Sequence, residues 1–225
     1  MLFRSTVYIF LCPGLASCRR RPLSLHVRRH KTTLGAVMDV IECMHTRRSI
    51  RAYRSEPVAH ELIEEVVWAA VQAPTPPISG IEPWAVCVIE GRDRLEEYGS
   101  RAKQYAFEHQ PSERPWEWTT RPGFKVFWGA PVLVLICARE GNIEARFDCC
   151  RAGQNLLVAA HARRLGTCWV GAPIPWLLNQ STREELALPQ GFQPEVAITL
   201  GYPAEAPVGS PRPKPLIRWS AASDA

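Results

Sequence analysis

The chain has 225 residues and a mass of 25.3 kDa, with 46% hydrophobic and 22% charged residues. This is ordinary globular composition: it excludes collagen-like, coiled-coil and disordered classes, and no run of about 18 uninterrupted apolar residues suggests a membrane span. The formal charge of +5 is unevenly held, because residues 1–37 carry seven basic residues and no acid while residues 38–225 carry 20 basic against 22 acidic residues, net −2. A body with that balance does not describe a clamp for nucleic acid.

Residues 1–37 contain a short apolar stretch (7–15) followed by Arg19, Arg20 and Arg21. They read as a leader or extension outside a single domain of residues 38–225. Three readings stay open: an upstream extension whose true start is Met38, a mitochondrial transit peptide, or a functional tail. A secretory signal fits poorly, since its positive charge should precede the apolar part. Of the eight cysteines, Cys12 and Cys18 lie in the leader, and Cys87 and Cys137 sit in apolar, strand-like runs. No C-x-x-C pair occurs, so all eight read as reduced thiols. That implies a cytoplasmic location, or the mitochondrial matrix if the leader is a transit peptide.

In chain order, residues 39–46 predict a short helix ending in a basic turn. Pro57 fits the first position of a second helix, and the stripe Val58, Leu62, Ile63, Val66, Val67, Ala70, Val71 follows at helical period. Residues 73–83 read as a loop, 84–90 as a strand and 92–109 as a helix. Residues 111–123 form a loop rich in proline and tryptophan. Residues 131–138 are a nearly continuous apolar strand that predicts a central position with both faces covered. A helix over 145–164 is small and apolar around most of its circumference, which predicts burial or a subunit contact. Residues 167–171 are a short strand or loop, 194–200 another strand, and 203–219 an extended, proline-rich tail.

Most catalytic signatures are missing. His60-Glu61 starts like a zinc-protease motif, but position 64 is Glu; no G-x-G-x-x-G, phosphate loop or G-x-S-x-G elbow occurs. No metal set emerges from the scattered histidines. What stands out is Arg47-Arg48-Ser49-Ile50-Arg51: three guanidinium groups and a hydroxyl within five residues. Such a group suits one phosphate, although an isolated basic turn could be no more than a solvated surface.

The context of that segment changes its meaning. Arg47-Arg48-Ser49-Ile50-Arg51-Ala52-Tyr53 with Glu56-Pro57-Val58 resembles the N-terminal signature of the FMN-dependent nitroreductase family. Ala73-Pro74 through Glu82-Pro83-Trp84 resembles its A-P-S…Q-P-W segment. Asp148 through Ala160 and Leu165 through Gly171 resemble its central helix and following strand, and Ile198 through Pro203 its final I-x-L-G-Y-P. The resemblance spans essentially residues 38–219. It implies an α+β, three-layer fold, a mainly antiparallel sheet flanked by helices, in an intertwined homodimer with FMN at the subunit interface. It also implies that Arg47, Arg48, Ser49 and Arg51 hold the FMN phosphate, ribityl chain and pyrimidine edge. Gly171 and Ala172 would offer backbone N–H groups near the flavin N5 atom. The loop with Ser79, Gly80 and Glu82 would reach the flavin from the partner, and Arg212 or Lys214 would reach the phosphate. The sequence departs from the family where Gly80 stands in an Asn place, Glu82 replaces Gln, and the order in the tail is Arg212-Pro213-Lys214-Pro215-Leu216.

The implied activity is hydride transfer from NADH or NADPH through FMN to a small planar acceptor, nitroaromatic or quinone-like, by a ping-pong scheme. No side chain is needed as acid or base, and Arg51 is the candidate that stabilises charge on the flavin. Residues 105–128 hold seven of the chain's 20 Phe, Trp and Tyr residues. They predict an acceptor pocket or a core closed over the flavin, with 111–123 as a lid. Two alternatives remain: a specialised relative such as an iodotyrosine-deiodinase-like reductive dehalogenase or a flavin-consuming enzyme, suggested by Glu82, and a dimeric flavin-binding module without turnover, suggested by Gly80.

Overall fold

The computed structural model describes residues 8–11, 19–22, 38–76, 83–109, 116–209 and 212–220. Its elements are β1 (Tyr8–Leu11), β2 (Arg19–Pro22), α1 (Val40–Thr46), α2 (His60–Ala70), β3 (Trp84–Glu90), α3 (Arg92–His109), α4 (Glu117–Thr120), β4 (Val132–Arg139), α5 (Ile143–Ala162), β5 (Gly166–Trp169), α6 (Ile174–Leu177), α7 (Gln180–Glu185) and β6 (Phe192–Gly201). The strands form one sheet in the order β2-β1-β3-β4-β6-β5. The pairs β3–β4, β4–β6 and β5–β6 are antiparallel, and β1 joins β3 in parallel.

Strand alternation builds the layers. On β3 and β4, Val86, Val88, Val132, Val134, Ile136 and Ala138 face a core closed by α2 and α5. Their neighbours Ala85, Cys87, Ile89, Leu133, Leu135 and Cys137 face a second core closed by α3 and α6. Because helices cover both faces, both sets must be apolar, so these strands read as continuous hydrophobic runs. The predicted α+β, three-layer arrangement and the central strand are thus observed, with β4 lying between β3 and β6.

Local chemistry sets the helix starts. The Asp39 carboxylate accepts from the backbone N–H groups of Ile41 (2.9 Å) and Glu42 (3.3 Å), and Asn142 does the same for Glu144 and Ala145. That cap opens α5 two residues before the predicted start. The helix expected at Pro57 opens instead at His60, because residues up to Ala59 stay extended and lodge Val58 in the core at 4% exposure. One turn, α4, stands inside the predicted 111–123 loop, and α6 and α7 occupy a stretch where no element was predicted. Strand β6 extends back through Pro194, which has no N–H to donate; a register shift at Ile136/Cys137 absorbs it.

The segment that positions the site has almost no regular structure of its own. Residues 47–54 form an extended strap between two parts of the sheet. Ser49 bridges Thr167 on β5, with the Ile50 N–H donating to the Thr167 carbonyl at 2.9 Å. Tyr53 bridges Pro203 just past β6, and the N–H groups of Arg54 and Ala204 reach across to Tyr202 and Ala52. Below the strap, the Tyr53 hydroxyl donates to the Ile50 carbonyl (2.9 Å) and lies 2.8 Å from Thr199 Oγ1. Gly166 is what lets the strap lie so close: a Cβ there would stand 2.8–2.9 Å from three Ile50 side-chain atoms. Gly166→Ala is therefore expected to cost about 1–3 kcal/mol by overpacking. Urea unfolding checks this, and wild-type stability in the variant would mean that Ile50 yields freely.

Candidate functional site

The strap delivers cations to one place. Helix α1 ends at Thr46, so Arg47 and Arg48 leave its C-terminus together. Arg48 Nη1 donates to the His45 and Arg47 carbonyls at 2.7 and 2.8 Å, closing the orphan end of the helix. The proline-rich tail then runs past, with Gly209 against the Arg48 guanidinium and Arg212 within electrostatic reach of Arg47. Burial, Arg212 and Arg48 pull the Arg47 pKa below the usual arginine range. Among the described residues, none of these three arginines forms an ion pair. Repelling guanidinium groups with no carboxylate between them are a donor set that fits a phosphate dianion.

Three further groups border the cluster. Ser49 places its hydroxyl beside the Cys168 thiol, whose pKa burial pushes up while Arg51, Ser49 and Arg47 oppose it. His161, near the end of α5, has Nε2 2.9 Å from Thr46 Oγ1. Burial and the cations Arg47 and Arg48 lower its pKa, against a weaker pull from Glu42. The Arg51 guanidinium lies 5.6 Å from the centre of the Trp128 ring, while its backbone N–H donates to Glu205 Oε1 at 2.5 Å.

From Arg51 an aromatic series runs outward. Trp128 meets Phe124 edge-on at 5.1 Å, Phe124 meets Trp118 at 5.7 Å, and Trp118 stacks on Trp116 at 6.0 Å and 20°. Trp128 adopts the left-handed region (φ +57°), and its buried indole Nε1 has no hydrogen-bond partner among the described residues. At the outer end, Trp116, Glu117, Trp118, Gly171, Ala172 and Pro175 line a cavity of about 410 Å³. The N–H groups of Gly171 and Ala172 donate to no acceptor among the described residues, and the space above Gly171 is open. A second cavity of about 470 Å³ lies between α3, α4 and residues 124–127. Its polar groups are already used: Ser100 donates to the Glu96 carbonyl, Lys103 to the Arg121 carbonyl, and Lys125 pairs with Glu96 at 3.1 Å.

Residues 44–202 match the Nitroreductase family. The chain is a member of the nitroreductase family. A relative from Methanothermobacter thermautotrophicus, named as a NADH dehydrogenase/NAD(P)H nitroreductase, is 32% identical over 76% of this chain and 80% of its own length. A 4-nitrobenzoate reductase from Nocardioides sp. (strain LMS-CY) is 25% identical over 82% of this chain and 89% of its own. Among solved structures, an FMN-bound nitroreductase from Bacteroides fragilis NCTC 9343 superposes with a TM-score of 0.70 at 22% identity. That match covers 82% of this chain and 99% of the other.

As a nitroreductase-family chain, it brings Arg47, Arg48 and Arg212 together, with Ser49 and Arg51 farther along the same strap. Gly171 and Ala172 meet the aromatic series. Arg48 spends part of its donor set on the helix end, so Arg47 is left the freer of the first pair. Arg212 and Lys214 are both exposed, and of the two only Arg212 acts on Arg47. Ser79, Gly80 and Glu82 lie outside the described residues. Of the aromatic stretch, Phe127 is core, Tyr105 stacks on His109, and Trp116 and Trp118 face the cavity. Sequence reasoning gave no site role to His161 or Cys168, whose places come from neighbours far along the chain; Trp128 was counted among the aromatics of residues 105–128, and its contact with Arg51 is seen only in the fold.

The lowered His161 pKa gives a pH signature. In the window below the ordinary value of 6.5, the unfolded chain binds a proton that the folded chain refuses, so stability falls as pH drops through it. His161→Gln, which can keep a hydrogen bond to Thr46, is expected to flatten that limb in urea unfolding of the apoprotein. An unchanged pH slope would place the proton uptake elsewhere.

Proposed function

We propose that this chain is an FMN-dependent oxidoreductase that passes hydride from NADH or NADPH to a small planar acceptor of nitroaromatic or quinone type. The observation that carries the reading is the cluster of Arg47, Arg48 and Arg212, which forms no ion pair among the described residues, in a family whose solved neighbour binds FMN. The names of the two relatives point to NAD(P)H as donor and a nitroaromatic as acceptor. Bound there, FMN supplies the hydride relay between donor and acceptor.

The chain's own residues supply grip and electrostatics. Arg47 and Arg212, with the remaining donors of Arg48, hold the phosphate, and Ser49 adds a hydroxyl. Arg51 supplies a fixed cation near the ring system, oriented by the Trp128 face. The free N–H groups of Gly171 and Ala172 donate to an acceptor atom of the ring without acting as acids or bases. The indoles Trp116 and Trp118 flank the cavity in which donor and then acceptor stack.

The working unit is a homodimer. Apolar side chains that a lone chain leaves in water support it: Val40, Ile41 and Met44 on α1, Ile143 and Phe147 on α5, and Trp219 of the tail at 89% exposure. The six described cysteines are unpaired, which supports a reducing compartment such as the cytoplasm. No helix among the described residues is long and apolar enough to cross a membrane.

Purified protein is expected to be a yellow dimer whose flavin absorbance bleaches with NADH or NADPH under anaerobic conditions. Parallel double-reciprocal plots are expected for two substrates using one face in turn; intersecting lines would contradict the ping-pong scheme. Arg47→Ala is expected to weaken FMN binding about 10–100-fold, the cost of one charge-assisted contact. Arg51→Ala is expected to retain FMN but with a lower reduction potential. Fluorescence titration and anaerobic potentiometry check these, and normal FMN affinity and potential in both variants would overturn the site.

A further inference from the structure

Resting on that reading, we infer that Glu117 sets the charge specificity of the acceptor cavity, favouring neutral and cationic planar acceptors over anionic ones. Among the described residues, Glu117 is the one ionisable residue of the six that line the cavity, and in sequence it stands between Trp116 and Trp118. Its neighbours in the wall are apolar rings and backbone: Trp116 and Trp118 stacked at 6.0 Å, Pro175, Gly171 and Ala172. Its carboxylate makes no ion pair or hydrogen bond among the described residues; only its backbone carbonyl is used, by the Arg121 N–H and the Thr120 hydroxyl.

Among the described residues, no cation of the site pairs with it: Arg47 and Arg48 lie at the start of the strap with Arg212 in electrostatic reach of Arg47, and Arg51 lies over Trp128, at the far end of the aromatic series from Trp116. An acceptor stacked on the indoles thus meets a carboxylate at the rim of an open cavity, where Trp116 and Glu117 are both exposed. One unit charge against another across a cavity of this size, in a partly aqueous dielectric, amounts to about a 3–10-fold change in relative rate. The same charge attracts an ammonium substituent and is indifferent to an amide. Among the described residues Glu117 contacts neither the phosphate cluster nor the strap, so FMN affinity is measured in each variant as the control.

The test uses the FMN-loaded full chain with three nitrobenzenes that differ at the para position: 4-nitrobenzamide, 4-nitrobenzoate and 4-nitrobenzylamine. Steady-state kcat/KM is measured for each, and binding to the oxidised holoprotein is followed by the difference spectrum of the flavin bands. Comparing Glu117→Gln and Glu117→Lys with the parent cancels the intrinsic reactivity of each probe. The expected result is a rise of about 3–10-fold in the benzoate-to-benzamide ratio in Glu117→Gln, and a larger rise in Glu117→Lys. The benzylamine ratio should move the opposite way, and all three effects should shrink in ~1 M salt, where the screening length is about 3 Å. Equal ratios in all three proteins, with the benzamide still reduced, overturn the inference alone. A holoprotein that binds FMN but reduces none of the three probes overturns the acceptor reading beneath it as well.

Discussion

Arg48 and Arg212 both lie within electrostatic reach of Arg47, among the described residues none of the three forms an ion pair, and the rest of the site is arranged around that cluster. Repulsion and burial make Arg47 hold its proton less firmly than arginine does in water. Such a cluster persists only if something uncharged fixes it. Here that is backbone pairing: the strap 47–54 is tied to β5 at one end and to the segment after β6 at the other.

The same strap carries Arg51 toward Trp128, and from there the aromatic series leads to α4 and the cavity over Gly171 and Ala172. The cation cluster and the cavity over Gly171 and Ala172 are therefore joined by one run of side chains. Its middle contains a residue in an unusual backbone conformation with an unsatisfied indole N–H, Trp128. Features of this kind are disfavoured in a core and concentrate at binding sites.

The layered fold was largely legible because its strands are buried on both faces and α2 carries an apolar stripe at helical period. The apolar runs at 84–90 and 131–138 have no polar position to spare, and β4 lies at the centre for that reason. The errors were local. Pro57 satisfied the rule for a helix start, but burial of Val58 kept the chain extended for three more residues. Helices α6 and α7 are single short pieces whose pattern is too brief to stand out against the prolines and polar residues around them.

The site divides in the same way. Arg47, Arg48, Ser49 and Arg51 were visible as a dense local pattern, since one phosphate needs that much charge within a few residues. By itself, the sequence determined the class of fold, the location of the cations and the aromatic richness of residues 105–128. Only the tertiary structure decided that Arg212 rather than Lys214 joins Arg47, that His161 stands beside them, and that Trp128, Trp118 and Trp116 form one connected series. These depend on contacts between positions far apart in the chain, fixed by sheet register and by the path of the tail, and no local pattern of residues encodes either.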